Sequence, residues 1–116
     1  VDRDGTIFIL AAYPVWHAGL GDFAGSRWDR WGIPKNSANS WTFGVEVVSK
    51  GQKKDFTRNQ KIAIRRLNCA VREASKWKGF KYRVANHKDW TTRKIDSRYS
   101  WEYFRKGAVK AWANFH

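Results

Sequence analysis

The stretch His87-Lys88-Asp89-Trp90-Thr91-Thr92-Arg93-Lys94-Ile95-Asp96 gathers metal-binding and charged side chains into ten residues. Imidazole and carboxylate are both zinc ligands, and a catalytic zinc site takes three protein ligands and leaves one position open. His87 and Asp96 would provide two of them. Lys94 would then stand beside any negative charge that develops in the reaction, where a fixed cation stabilises an oxyanion. The same residues would also make an ordinary solvated loop, because a single His-x8-Asp pair is a weak metal signal. The rest of the chain has to decide.

Two further stretches bear on such a site. Ser40 to Val48 alternates as a central strand would, with Trp41, Phe43, Val45 and Val47 on one face and Thr42, Gly44, Glu46 and Val48 on the other. Glu46 is a carboxylate set among valines. Burying it unpaired is costly, so it must face solvent, a partner or a site, and its apolar neighbours favour a site. Trp16-His17-Ala18-Gly19 supplies a second histidine. It opens a loop to Ser40 in which Gly19, Gly21, Gly25, Gly32 and Pro34 forbid long regular structure. Loops of that length in compact domains are usually functional or mobile. Trp28 and Trp31 within it either stack on sugar rings or close over the edge of the core.

The elements that must position these residues can be read in part. Asp4-Gly5 before Thr6-Ile7-Phe8-Ile9-Leu10 is a hairpin signal: a tight turn feeding a β-branched, apolar strand. Only Val1, Asp2 and Arg3 precede it, so the sequence is expected to begin near the end of a strand whose body it lacks. Pro14 is expected to end the strand. Thr57-Arg58-Asn59-Gln60 is a capping box that predicts a helix from Arg58 to about Lys78. Its apolar stripe is Ala63, Ile64, Leu67, Ala70, Val71, Ala74 and Trp77, expected to lie on the sheet, and Gly79 follows as a left-handed stop. Phe80 to Val84 alternates as a short strand would, delivering His87. Ser100 is placed to cap a last helix from Trp101 to about Ala113.

Composition narrows the class. A chain of 116 residues is enough for one domain, 1–116. Eight tryptophans and 16% aromatic residues argue against disorder. The lone Cys69 excludes an intrachain disulfide and reads as a small core residue. Methionine is absent, so the chain reads as a fragment or a processed product. No apolar run reaches the length of a membrane span, and Val1-Asp2-Arg3-Asp4 is not the positive leader of a signal peptide. Charge is uneven. Residues 1–49 hold four Lys/Arg and five Asp/Glu, whereas residues 50–116 hold nineteen and five, for a total of +13. A field of that size favours polyanionic partners such as nucleic acid, anionic lipid or bacterial wall polymers.

Taken together, Asp4-Gly5-Thr6, His17-Ala18-Gly19, Gly32-Ile33-Pro34-Lys35, Gly44-Val45-Glu46 and His87-Lys88-Asp89-Trp90 with Arg93-Lys94-Ile95-Asp96 form an ordered series. In that order, with a capped helix before the last, the chain resembles the zinc-dependent N-acetylmuramoyl-L-alanine amidases of the amidase-2 and peptidoglycan-recognition type. Bacteriophage endolysin domains are the nearest likeness. The resemblance implies an α/β fold (α+β-like), a central mixed β-sheet flanked by helices, here lacking its first strand. It implies a Zn2+ cofactor with His87 and Asp96 as ligands, Glu46 as general base and Lys94 as the oxyanion cation. His17 would line the substrate groove, and Trp16, Trp90 and Arg93 are assigned with it to substrate binding. The family's first zinc histidine lies upstream of the motifs present here, so the third ligand would be His17, His116, an upstream segment or a second chain.

The substrate implied is bacterial peptidoglycan, cut between the lactyl group of N-acetylmuramic acid and L-alanine. Anionic cell-wall polymers would be further partners. The enzyme would be made in the host cytoplasm and act at the wall, or act outside the cell. Two other readings compete. One is a non-catalytic wall-binding module of the same fold, favoured by the absent histidine and opposed by Glu46, Lys94 and Asp96. The other is a basic nucleic-acid-binding domain, for which charge and aromatics speak but no helix-turn-helix, zinc-finger or RNA-recognition signature does.

Overall fold

The computed structural model describes residues 1–11 and 16–115. Its regular elements are all helical: α1 (Arg58–Trp77), the single turn α2 (His87–Trp90) and α3 (Trp101–Phe115), with short 3-10 turns at Asp29–Trp31 and Ala38–Ser40. The strand end expected at Pro14 and the candidate third ligand His116 lie outside the described residues.

Helix α1 starts where its capping chemistry says it should. Thr57 Oγ1 accepts the Gln60 N–H at 3.1 Å, and Gln60 Oε1 accepts the Thr57 N–H at 3.0 Å. Each half of this box satisfies an otherwise orphan donor, and a cap of this kind is worth about 1 kcal/mol. The helix stops at Gly79, which takes φ 79°. The N–H groups of Gly79 and Phe80 return to the carbonyls of Lys76 and Ser75 at 3.0 and 2.8 Å, the paired closure typical of a left-handed glycine. Helix α3 begins after Ser100, whose Oγ accepts the Tyr103 N–H at 3.2 Å.

The expected central sheet is not seen: among the described residues there is no strand. A strand needs a neighbour to take its backbone groups, and among the described residues only a one-residue version of that pairing exists. Val1 donates its amino group to Glu46 O and accepts the Val48 N–H at 2.9 Å, as a residue opposite Val47 would in a parallel ladder. The turn at Asp4-Gly5 does form, with the Asp2 N–H bonded to Thr6 O at 2.9 Å and Gly5 at φ 91°. Residues 6–10 then run on without ladder partners among the described residues. The apolar face of the 41–48 segment is largely in solvent, with Trp41, Phe43 and Val45 exposed and Val47 partly buried. Residues 80–84 form no strand either.

Two aromatic clusters take the place of a sheet-backed core. The first is Phe23, Trp28, Ala38 and Trp90, packed by Trp31, Ile33 and Trp101. The glycine-rich loop therefore builds half of the interior. Trp28 closes the core and donates Nε1–H to Val84 O at 2.9 Å, which settles its role against sugar stacking. The second cluster is Phe56, Ile64 and Tyr99, with Tyr103 and Phe104 beside it. Phe56 and Tyr99 stack at 4.4 Å between centroids.

Helix α1 packs on α3, not on a sheet. Gly107 permits the approach, because a Cβ there would stand 3.1 Å from Arg65 Cγ. Only part of the expected α1 stripe is covered: Ala63 and Ile64 are buried, while Trp77 is 89% exposed. Cys69 is buried, as a core thiol should be. Gln60, with 0% exposure, ties the halves together by donating Nε2–H to Val48 O at 2.7 Å and accepting from Arg3 Nη1 at 3.1 Å. The segment carrying Glu46 is thereby fixed to the start of α1.

Candidate functional site

His87 is the first residue of the single turn α2. Asn86 precedes it in extended conformation, and the Asp89 carboxylate accepts the Asn86 N–H at 2.7 Å. The buried Asn86 side chain reaches Tyr99 O at 2.9 Å and accepts from Ser97 Oγ at 2.9 Å, so α2 is anchored to the segment that follows Asp96. This turn replaces the strand expected to deliver His87.

Three consecutive carbonyls of the 18–20 loop accept side-chain donors from the 87–93 stretch. His87 Nε2 bonds Ala18 O at 2.8 Å, Trp90 Nε1 bonds Gly19 O at 3.0 Å, and Arg93 Nη2 bonds Leu20 O at 2.8 Å. The Asp22 N–H returns to Trp90 O at 2.9 Å. Gly21 is needed for this closeness, since a Cβ there would stand 2.4 Å from Trp90 O. Trp90 and Arg93 thus bind the protein's own loop. Trp90 is 3% exposed, beneath the loop in the first core cluster, while Trp16 is 95% exposed.

A carbonyl oxygen only accepts hydrogen bonds, so the contact with Ala18 puts a proton on His87 Nε2. The other ring nitrogen, Nδ1, faces Asp96 Oδ2 at 3.3 Å. If Nδ1 carries a lone pair, it confronts a carboxylate, and two electron-rich atoms at that separation need a positive species. A proton on Nδ1 would serve, as would a metal cation.

His17 is held by different partners. The Thr42 hydroxyl sends its proton to Ala38 O at 2.8 Å and lies 2.7 Å from His17 Nε2, which must then be the donor. Gly44 lies against the same ring, where a Cβ would come within 2.6 Å of Cδ2. Asn39 Oδ1 accepts the N–H groups of His17 and Ala18 at 2.9 and 2.8 Å.

His17, Ala18, Gly19, Leu20, His87, Arg93 and Lys94 line one open cavity of about 570 Å³. That is within the usual range for small-ligand clefts. Two histidines and two cations meet in it, and no carboxylate lines it. Glu46 is exposed two residues beyond Gly44 and is outside this lining, as are Trp16 and Trp90. Among the described residues, no three His, Cys, Asp or Glu side chains converge to hold a metal ion; the donors brought together number two. Asn39, Thr42 and the three loop carbonyls were not foreseen from the sequence. Asn39 falls among Gly, Ser and Asn residues that mark any turn, and backbone acceptors leave no sequence signal.

The sequence pattern of the N-acetylmuramoyl-L-alanine amidase family (Amidase_2) matches residues 1–99. The chain belongs to that family, which acts on peptidoglycan. The matched region takes in both histidines, Glu46, Lys94 and Asp96, and ends before α3. No curated protein and no solved structure matches the chain.

Proposed function

We propose that this protein is a zinc-dependent amidase of a bacteriophage endolysin, cutting peptidoglycan between N-acetylmuramic acid and L-alanine. The observation that carries the proposal is the pairing of His87 Nδ1 with Asp96 Oδ2 at 3.3 Å while Nε2 is committed to Ala18 O. Zinc bonds of about 2.0–2.1 Å at a tetrahedral centre put two donor atoms about 3.3–3.4 Å apart, so the pair has the spacing of two ligands on one ion. A backbone carbonyl holding the second ring nitrogen is also the usual outer support of a metal histidine.

His87 and Asp96 would hold the zinc. When bound, the ion supplies Lewis acidity and lowers the pKa of water toward neutrality. Glu46 takes the proton of the attacking water as general base. Lys94 faces the amide oxygen as negative charge develops on it. Arg93 and Lys94 make the groove cationic, suited to the carboxylates of stem peptides. The strongly basic second half adds affinity for anionic wall polymers. The site of action is the bacterial cell wall; among the described residues no helix is long and apolar enough to cross a membrane.

A second reading, a non-catalytic wall-binding module, has one observation in its favour: two metal donors converge among the described residues, not three. Zinc stoichiometry, paired with release of free stem peptide from muropeptides, separates the two. The amidase reading expects bound zinc, chelator-sensitive release, and loss of both in His87→Ala. Wall binding without release, in zinc-replete buffer, would establish the binding module.

A further inference from the structure

We infer that Asn39 is the positioning residue that fixes the tautomer and aim of His87, acting through Ala18. Its functional consequence rests on the reading of His87 as a metal donor; its structural content does not. Asn39 Oδ1 receives two N–H groups, from His17 at 2.9 Å and Ala18 at 2.8 Å. Both partners are donors, so the amide oxygen must face them. With the nitrogen of Ala18 pinned, its carbonyl is directed at His87 Nε2, 2.8 Å away. That contact keeps the proton on Nε2 and turns Nδ1 toward Asp96 Oδ2.

The clamp stands on a rigid base. Asn39 belongs to the 3-10 turn Ala38–Ser40, and Ala38 is buried at 2% exposure. Ala38 O collects the N–H groups of Trp41 and Thr42 and the Thr42 hydroxyl. That hydroxyl in turn accepts from His17 Nε2. One three-residue turn therefore sets the position of both groove histidines, and its Asn39 is 22 residues from the nearer of them in sequence. The Asn39 amide oxygen bonds the backbone N–H groups of residues 17 and 18. Its effect must pass through the backbone of residues 17 and 18.

The test compares Asn39→Asp, Asn39→Gln and Asn39→Ala in the whole chain. Asp keeps an acceptor at the same reach; Gln keeps the amide but displaces it by one methylene; Ala removes it. The readouts are the His87 ring tautomer, from long-range proton–nitrogen NMR correlations without metal, and the zinc dissociation constant from chelator competition. Wild type and Asn39→Asp should show a single Nε2–H tautomer and zinc affinities within about threefold of each other. Asn39→Gln and Asn39→Ala should show mixed tautomers and zinc affinity reduced about 10–100-fold, the usual cost of losing outer-shell support. Retention of the wild-type tautomer in a folded Asn39→Gln or Asn39→Ala protein would overturn the inference. If Asn39→Ala does not fold, the comparison of Asp with Gln decides. A wild type that binds no zinc, yet whose His87 tautomer shifts in Asn39→Gln, would sink the metal reading and leave the positioning role standing.

Discussion

Gly44 lies against the imidazole of His17, so close that a Cβ at position 44 would stand 2.6 Å from Cδ2 and 2.7 Å from Cγ. The contact joins two motifs that are far apart in sequence. It gives the glycine before Val45-Glu46 a reason to be a glycine that owes nothing to backbone freedom. Gly44→Ala should therefore expel the His17 ring from its place beside Thr42. Overpacking of this kind costs roughly 1–3 kcal/mol, read as a lowered midpoint in chemical denaturation. Turnover on muropeptides should fall further than stability does, because the displaced ring lines the cavity. A variant with unchanged midpoint and unchanged turnover would show that the ring moves aside without consequence.

Lys94 and Glu46 are both exposed, and neither enters a salt bridge or side-chain hydrogen bond among the described residues. Replacing them should leave the fold intact and separate chemistry from packing. Lys94→Ala should slow turnover by about 10²–10³-fold, the usual loss for one oxyanion partner. Glu46→Gln should cost about 10²–10⁴-fold if the carboxylate is the base. Sedimentation with cell-wall preparations should change little in either. Parallel losses of binding and turnover in Lys94→Ala would recast the lysine as a substrate anchor.

How much of this was legible depended on the range of each interaction. The Thr57–Gln60 capping box spans four residues, and both of its hydrogen bonds are present as the sequence implied. The same is true of Gly79 at the end of α1 and Ser100 before α3. The alternation of Trp41 to Val48 encodes only a tendency, since a strand exists when another chain segment satisfies its backbone. Among the described residues only Val1 pairs with it backbone to backbone, and no sheet is seen there. Trp90 shows the same limit. The family motif assigns it to substrate binding, but it lies in the first core cluster with Phe23 and Trp28, its ring centroid 4.8 Å from that of Phe23. The pairing of His87 with Asp96 was visible from the motif. The turn that aims His87, built around Asn39, was not.

Trp90 can be tested for that internal role. Trp90→Phe keeps an aromatic ring in the core and deletes the Nε1–H donor to Gly19 O. The expected loss is about 1 kcal/mol, the net worth of a neutral hydrogen bond. Trp90→Ala should cost about 3–5 kcal/mol through the cavity it leaves. Hydrogen exchange should show faster opening of residues 18–22 in the Phe variant, because one of the three side-chain ties from the 87–93 stretch to that loop is gone. If Trp90→Phe is as destabilised as Trp90→Ala, the indole N–H carries more of the loop than one ordinary bond.

Tyr82 offers a prediction remote from the groove. Its hydroxyl is buried and has no hydrogen-bond partner among the described residues. Burial pushes the phenol up to about 12, against the weaker opposing pull of Arg72 and Arg105. The folded protein therefore holds this proton more tightly than the unfolded chain, whose phenol titrates near 10. The contribution is fully present below about pH 10 and is lost as the pH rises toward 12. Tyr82→Phe cannot ionise, so the stability difference between wild type and variant should be flat up to pH 10 and then move in favour of the variant. At neutral pH the variant should be equal to wild type or up to about 1 kcal/mol more stable, because an unsatisfied buried hydroxyl has been removed. Denaturation midpoints of both proteins, measured from pH 7 to 12, check both parts. Parallel curves across pH 10–12 would mean that water reaches the hydroxyl in the folded protein.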